Sequence, residues 1–207
     1  MSAYGWCMTT ARTRLSPAAR RRQLIDLGVQ MARDRPLESV TMEAVAEAAG
    51  VSKALIFHYF ESKADFHLSV ITEQAEEMLA RTEPQAELGD PIAMLQASMT
   101  AYVDYVADNG RGFVGVIRGA ASADDAIRAV ADRTRAAMTE RILTHAPAIG
   151  IERSPAIELS VAGWIAFVEE TLVRWLDDPV ITREQLVQIF VAALPTLAGL
   201  VGNVTQT

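Results

Sequence analysis

The sequence predicts an all-α protein: an N-terminal three-helix bundle containing a helix-turn-helix, followed by a larger C-terminal helical body. Three observations carry this. Helix start and stop signals recur along the chain, separated by apolar residues at three-and-four spacing, and no stretch alternates as a strand does. The stretch TMEAVAEAAGVSKALIFHYFESK, residues 41–63, reads as two short helices joined by a tight turn. The last two predicted helices are apolar on more than one side.

The elements follow in order. Residues 1–15 carry Gly5 and several Thr and read as a flexible segment, within which Met8 is an alternative start to Met1. Ser16-Pro17 places a capping Ser before a Pro at the first helical position, and the helix runs to about Arg35 with Arg20, Arg21 and Arg22 in its early turns. Positive charge there opposes the helix dipole, at a cost of a few tenths of a kcal/mol that a nearby phosphate would offset. Pro36 breaks the chain before the motif. Thr41 caps the first short helix, Gly50 ends it, Val51 plugs the turn and Ser52 caps the second. The bundle therefore spans 16–62 and the body 63–207.

Longer helices make up the body. One opens at Ser62 or Lys63 and reaches Arg81; Pro84 to Pro91 is a connector; Asp90-Pro91 starts the next, which Asn109-Gly110 ends. A short apolar helix covers Phe113 to Ala121, and Ser122 caps another to His145, broken by Pro147 and Gly150. Ser154-Pro155 starts a long helix to Leu176, and Thr182 caps the last, to about Val201. In the long helix Ile157, Val161, Trp164, Val168 and Leu172 form one stripe, with Ile165 on a second. In the last, Leu186, Ile189, Ala193, Leu197 and Leu200 form one stripe, and Val187, Val191, Leu194 and Ala198 another. Helices apolar on two sides need cover on two sides, and a second copy of the pair gives a four-helix interface with two-fold symmetry.

Composition narrows the function classes. The 207 residues are 50% hydrophobic and carry a net charge of −7. Residues 1–60 hold eight Lys or Arg against five Asp or Glu, a net of +3, whereas 61–207 hold eleven against twenty-one, a net of −10. A basic front on an acidic body lets one face approach phosphates while the rest stays solvated. The single Cys7 excludes an intrachain disulfide framework, no apolar run is long enough to span a bilayer, and the N-terminus lacks a basic-then-apolar leader pattern. These features point to the cytoplasm. The three histidines, His58, His67 and His145, have no metal-ligand spacing, and no phosphate loop or nucleophile elbow is present. No metal, no cofactor and no enzyme activity are expected.

The residues TMEAVAEAAGVSKALIFHYFESKADFHLSV closely resemble the DNA-binding region of TetR-family transcriptional regulators, and the basic helix before them fits the same plan. The resemblance implies that Thr41 and Ser52 cap helices and donate to phosphate, and that Lys53 approaches a phosphate or a guanine edge. Ala54 and Leu55 would face the groove, where an apolar side chain meets a thymine methyl. Phe57, His58 and Tyr59 would lie against backbone or base edges, and Lys63 would clamp a phosphate at a helix N-terminus. The same resemblance assigns Val45, Ala49, Val51, Ile56 and Phe60 to the bundle core. The family usually carries Gly-Thr where Ala54 and Leu55 stand, and often Tyr at Phe57, so sequence choice here leans on methyl contacts and DNA shape.

The resemblance further implies that the body is a ligand-binding and dimerisation domain. The expected protein is a homodimeric repressor on a palindromic double-stranded DNA operator, released by a small, mostly apolar effector. Candidate pocket residues are Met99, Tyr102, Phe113, Ile117, Arg118, Met138, Trp164 and Phe167, with Arg118 reaching solvent, a carboxylate such as Glu169 or Glu170, or an anionic ligand group. The reading from another class is a helical interaction module that uses the same motif for a protein partner.

Overall fold

Capping side chains set most of the helix starts. In the computed structural model, which describes residues 15–118 and 123–204, Ser16 accepts from the Ala19 N–H, Thr41 from Ala44, Ser52 from Leu55, Ser62 from Asp65 and Ser154 from Ile157. Nine α-helices and no strand occur among the described residues. The head consists of α1 (Pro17–Asp34), α2 (Met42–Ala49) and α3 (Lys53–Tyr59). Gly50 joins the last two in the left-handed region, at φ 63° and ψ 38°, with its N–H turned back to the Ala46 and Glu47 carbonyls. A side chain there would be strained, which is why the turn takes glycine.

The body follows as α4 (Lys63–Arg81), α5 (Pro91–Asp108), α6 (Gly110–Arg118), α7 (Asp125–His145), α8 (Pro155–Asp177) and α9 (Arg183–Val204). Three local differences from the sequence expectation stand out. The connector after α4 contains a short 3-10 turn, Ala86–Leu88. Asn109 does cap α5, but α6 starts at once at Gly110 and not at Phe113, because the buried Asn109 bonds back to the Tyr105 carbonyl and turns the chain without a loop. Asp124 caps α7, whose first residue is Asp125; the expected cap, Ser122, and the 1–14 segment lie outside the described residues.

Two apolar cores share one helix. The head core collects Leu24, Val45, Ile56 and Phe60 with Phe66, Val70 and Ile71 of α4, and reaches Ile127 and Val130 of α7. Met78, two turns further along α4, belongs instead to the body core around Trp164, Leu172, Leu186 and Phe190. The division at residue 62 in the sequence therefore does not divide the packing. Within the body core the Trp164 indole N–H donates to the Phe190 carbonyl at 3.0 Å, tying α8 to α9 while satisfying a buried donor.

The last helix pair is two-sided, as its stripes require. Leu186, Val187, Leu194 and Ala198 face the core, whereas Ile189, Leu197 and Leu200 remain 44%, 36% and 58% exposed. On α8, Leu159 is 75% exposed and Phe167 39%.

Close approach of α1 to α4 gives a direct test of the head packing. A Cβ on Gly28 would come within 2.6 Å of the Phe66 ring and 2.7 Å of Val70. Alanine is intrinsically better in a helix by about 1 kcal/mol, but overpacking of this kind costs about 1–3 kcal/mol. Gly28→Ala is expected to lower the urea midpoint; an unchanged or raised midpoint would show that the two helices are not in this contact.

Candidate DNA interface and effector cavity

The head presents one face of α3 to solvent because the other is nailed into its core. Ile56 and Phe60 are fully buried, and Phe60 meets Phe66 edge-to-face at 5.0 Å. That leaves Ser52, Lys53, Ala54, Phe57 and His58 exposed together, with Leu55 and Tyr59 half-buried at the margin. Of the predicted core residues, Val45, Ala49, Ile56 and Phe60 are buried and Val51 is half-buried. Tyr59 packs against the core as well as facing out, and His58 stands edge-on to it at 5.4 Å.

In the free protein the cations of this face are held by local partners. Lys53 pairs with Glu43 across the turn at 2.5 Å, its ammonium 5.8 Å from the centre of the Phe57 ring, and the same contact lowers the Glu43 carboxyl below its ordinary value. Both groups are exposed, so the pair adds little stability and is available for exchange. Lys63 donates to the Glu38 carbonyl at 2.6 Å, bridging α4 to the segment before Thr41. The basic triplet of α1 is similarly engaged. Arg22 pairs with Glu73 at 2.5 Å, and Arg21 donates to Ser69 at 3.0 Å while stacking over Phe60. Arg20 donates to Gln23.

His67 is structural. It is buried beneath the motif, and its Nε2 lies 2.8 Å from the Val40 carbonyl, to which it donates. Burial pushes its pKa below the ordinary value, with Lys63 adding to the effect against the pull of the Val40 carbonyl.

Two cavities in the body take in most of the predicted pocket residues. The larger has about 1050 Å³ of empty space including its mouth and lies among α5, α7, α8 and α9. Met94, Met99, Tyr102, Met138, Ile157 and Trp164 contribute apolar walls, and Arg141 and His145 stand with Thr82 as polar lining. Pro195 also lines it, from a position inside α9 where proline leaves a backbone carbonyl one turn earlier without its usual donor. Ser98 Oγ, in the same wall, is the one buried side-chain polar atom among the described residues with no hydrogen-bond partner. The smaller cavity, about 610 Å³, lies towards the head between α4, α5, α6 and α7, with Phe113, Ile117 and Glu169 in its wall. Burial pushes the Glu169 carboxyl up, opposed by Arg135, which donates to both its oxygens at 3.0 and 3.1 Å.

The predicted pocket residues are thus split. Met99 and Trp164 line the larger cavity, Phe113 and Ile117 the smaller, and Tyr102 and Met138 both. Two line neither cavity: Phe167, against the expectation, and Arg118, which takes the carboxylate alternative. Phe167 points outward from α8 and packs edge-on against Phe190, because its position in the helical repeat falls on the exposed stripe. Arg118 leaves the apolar surface of α6 for solvent and pairs with Glu170. Sequence reading missed Ser98, Arg141 and His145. Ser98 and Arg141 sit at helical spacing with Met94 and Met138, so the period was available, but a polar residue on that period looks like a solvated one until the cavity is seen.

Residues 24–70 match the model of bacterial regulatory proteins of the tetR family, and residues 91–195 match the tetracyclin repressor-like C-terminal domain. The chain belongs to the TetR family. It is a TetR-family transcriptional regulator with an N-terminal DNA-binding domain. A TetR-family regulator from Streptomyces coelicolor is similar at 28% identity and a TM-score of 0.83, covering 91% of this chain and 84% of that one. The regulator FadR from Bacillus subtilis, solved in complex with stearoyl-CoA, shares the fold at 18% identity and a TM-score of 0.62, over 86% of this chain and 97% of that one. The HTH-type transcriptional activator FasR of Mycolicibacterium smegmatis is 26% identical over 101 residues, 48% of this chain. The match spans less than half, 46%, of that relative's length. No described helix is long and apolar enough to cross a membrane, and no cluster of three metal-ligating side chains occurs among the described residues.

Two measurements test this geometry. Burial holds the His67 pKa below its ordinary 6.5, so the unfolded chain takes the proton more readily than the folded one. Its contribution is therefore present above that pH and lost as pH falls below it. The melting temperature is expected to drop from pH 7 to pH 5 more steeply in wild type than in His67→Gln; equal slopes would remove His67 from the balance. Ser98→Ala removes a buried hydroxyl that has no partner, so it should leave the melting temperature of the ligand-free protein unchanged or raise it. A fall of several degrees would mean that the hydroxyl is already satisfied.

Proposed function

We propose that the protein binds a palindromic operator as a homodimer and that a mostly apolar effector in the body releases it. The observation that carries the reading is the exposed face of α3, on which Ser52, Lys53, Ala54, Phe57 and His58 stand together over a rigid apolar anchor. Two such helices would enter successive major grooves about 34–36 Å apart. Thr41 and Ser52 each use their oxygen to accept from a backbone N–H, which leaves the hydroxyl hydrogen free to donate to phosphate. Lys53 would exchange Glu43 for a phosphate or a guanine edge, and Lys63 would reach phosphate from the start of α4.

The exposed apolar side chains of α8 and α9 support a two-fold four-helix interface. The effector would occupy the larger cavity, its hydrocarbon among the methionines and Trp164, and its polar or anionic head near Arg141 and His145. The stearoyl-CoA complex of the Bacillus subtilis relative supports an acyl chain as the effector class. An effector that binds better to the arrangement with mis-spaced heads weakens operator affinity by the same factor. Repression would follow where the operator overlaps a promoter. The relative FasR bears the name of an activator, and the sign of regulation is a property of operator position more than of this fold. The protein would act in the cytoplasm, beside the chromosome.

Fluorescence anisotropy with DNA flanking the protein's own gene tests the head. Lys53→Ala and Lys63→Ala should each weaken binding, and each removes two lysines from the dimer, so a phosphate-contacting position reduces the log–log salt slope by about two. Only Lys53→Ala should alter sequence preference. If the double variant binds as wild type does at physiological salt, α3 is not the reading element, and a pull-down with the intact motif would then favour a protein partner. Leu159→Glu combined with Ile189→Glu should convert the dimer to a monomer by light scattering and abolish high-affinity operator binding; a persistent dimer would place the interface elsewhere.

A further inference from the structure

We infer that Tyr102 and Met138 form a movable partition between two compartments of one ligand site, so that the length of a hydrocarbon chain decides whether it stops in the first compartment or crosses into the second. This rests on the effector reading above and adds to it a discriminator of chain length. The observation is geometric. Tyr102 and Met138 are the two residues common to the linings of both cavities, one from α5 and one from α7. The cavities succeed each other along α5, from Met94 in the first to Tyr105 in the second, about 16 Å at roughly 1.5 Å per residue.

The partition is built to yield. Buried tyrosines normally fix their hydroxyl, and Tyr105, nearly one turn on, does so by donating to the Gln74 carbonyl at 2.9 Å. The Tyr102 ring is buried, but its hydroxyl makes no such hydrogen bond among the described residues and is not sealed away as Ser98 Oγ is; the ring meets Phe113 edge-on at 6.2 Å. Opposite it, methionine is the side chain that most easily changes shape.

What lies behind the partition makes crossing consequential. The second compartment is lined by Gln74 of α4 and by Asn109, which accepts from Arg33 of α1 at 3.1 Å. Beside them Gly112 lets α6 approach α1 so closely that a Cβ would lie 3.3 Å from the Ala32 carbonyl oxygen. These are among the contacts by which the body holds the head. A chain that stops at Tyr102 touches none of them. A chain that passes presses on all three, and so gains a differential affinity for head positions, which a ligand needs in order to shift them. Short chains are therefore bound without releasing DNA, and long chains bind and release.

The test is a titration of the full-length protein with straight-chain fatty acids from hexanoate to stearate, in parallel with their CoA thioesters. Binding is followed by calorimetry, and release of its operator DNA by anisotropy. In wild type, affinity should rise about fourfold per methylene, pause over a few carbons where the tip meets the partition, and then rise again. DNA should be released only by chains beyond the pause. In Tyr102→Ala the pause should vanish and the fourfold rise run through. Met138→Ala, from the half-buried opposite wall, should do the same and guards against a Tyr102 variant that does not fold. A pause at the same length in wild type and in a folded variant overturns the partition, as does a wild type with no pause or with release by chains shorter than it. Failure of every chain to bind wild type, as acid or thioester, overturns the effector reading itself. Binding by one series alone identifies whether the head recognised is a carboxylate or the larger thioester.

Discussion

A single helix shared by two apolar cores constrains everything else in this molecule. α4 fills the head with Phe66, Val70 and Ile71 and the body with Met78. Interiors packed to crystal density do not deform smoothly, so a displacement of α4 at one end must be taken up at the other by rigid motion. The polar fastenings repeat this coupling. Arg21 and Arg22 tie α1 to α4, Lys63 ties α4 to the segment before Thr41, and Tyr105 ties α5 to α4. The exposed face of α3 is thereby an extension of the body, although the two are consecutive in the chain.

Function in such a design depends on where packing is left incomplete. The part of the head core that anchors α3, around Val45, Ile56 and Phe60, lines neither cavity, as a surface that must hold an α-helix at fixed orientation requires. The body core is open at the larger cavity, where Ser98 has a buried hydroxyl with no partner and Pro195 interrupts the bonding of α9. Sites of this kind cost stability in the empty protein and regain it when a ligand arrives, so the ligand-free state is held closer to its alternatives. The apolar exposure of Ile189, Leu200 and Leu159 lies on another surface, the one proposed to take a second copy of the chain.

How much of this was legible beforehand depended on the range of the interaction. The bundle could be read because its signals are local. Thr41, Gly50 and Ser52 each act within four residues, through a cap or a backbone conformation that few other side chains supply. The division of the body residues could not. Phe167 and Trp164 are three residues apart in one helix and equally apolar, yet one faces solvent and the other the cavity, because the choice depends on which helix lies opposite. Arg118 and Arg141 are likewise indistinguishable by type, and only the position of Glu170 or of the cavity mouth tells them apart.

The sequence by itself determined the helical class, the order of the helices, the helix-turn-helix and the two-sided character of the last pair, since caps, turns and periodicity are properties of short stretches of chain. The tertiary structure alone decided that α4 serves both cores, that the apolar body residues line two cavities and not one, and that Tyr102 and Met138 stand between them. Those are relations among side chains far apart in sequence, set by how helices of similar composition pack against one another, and no local rule carries them.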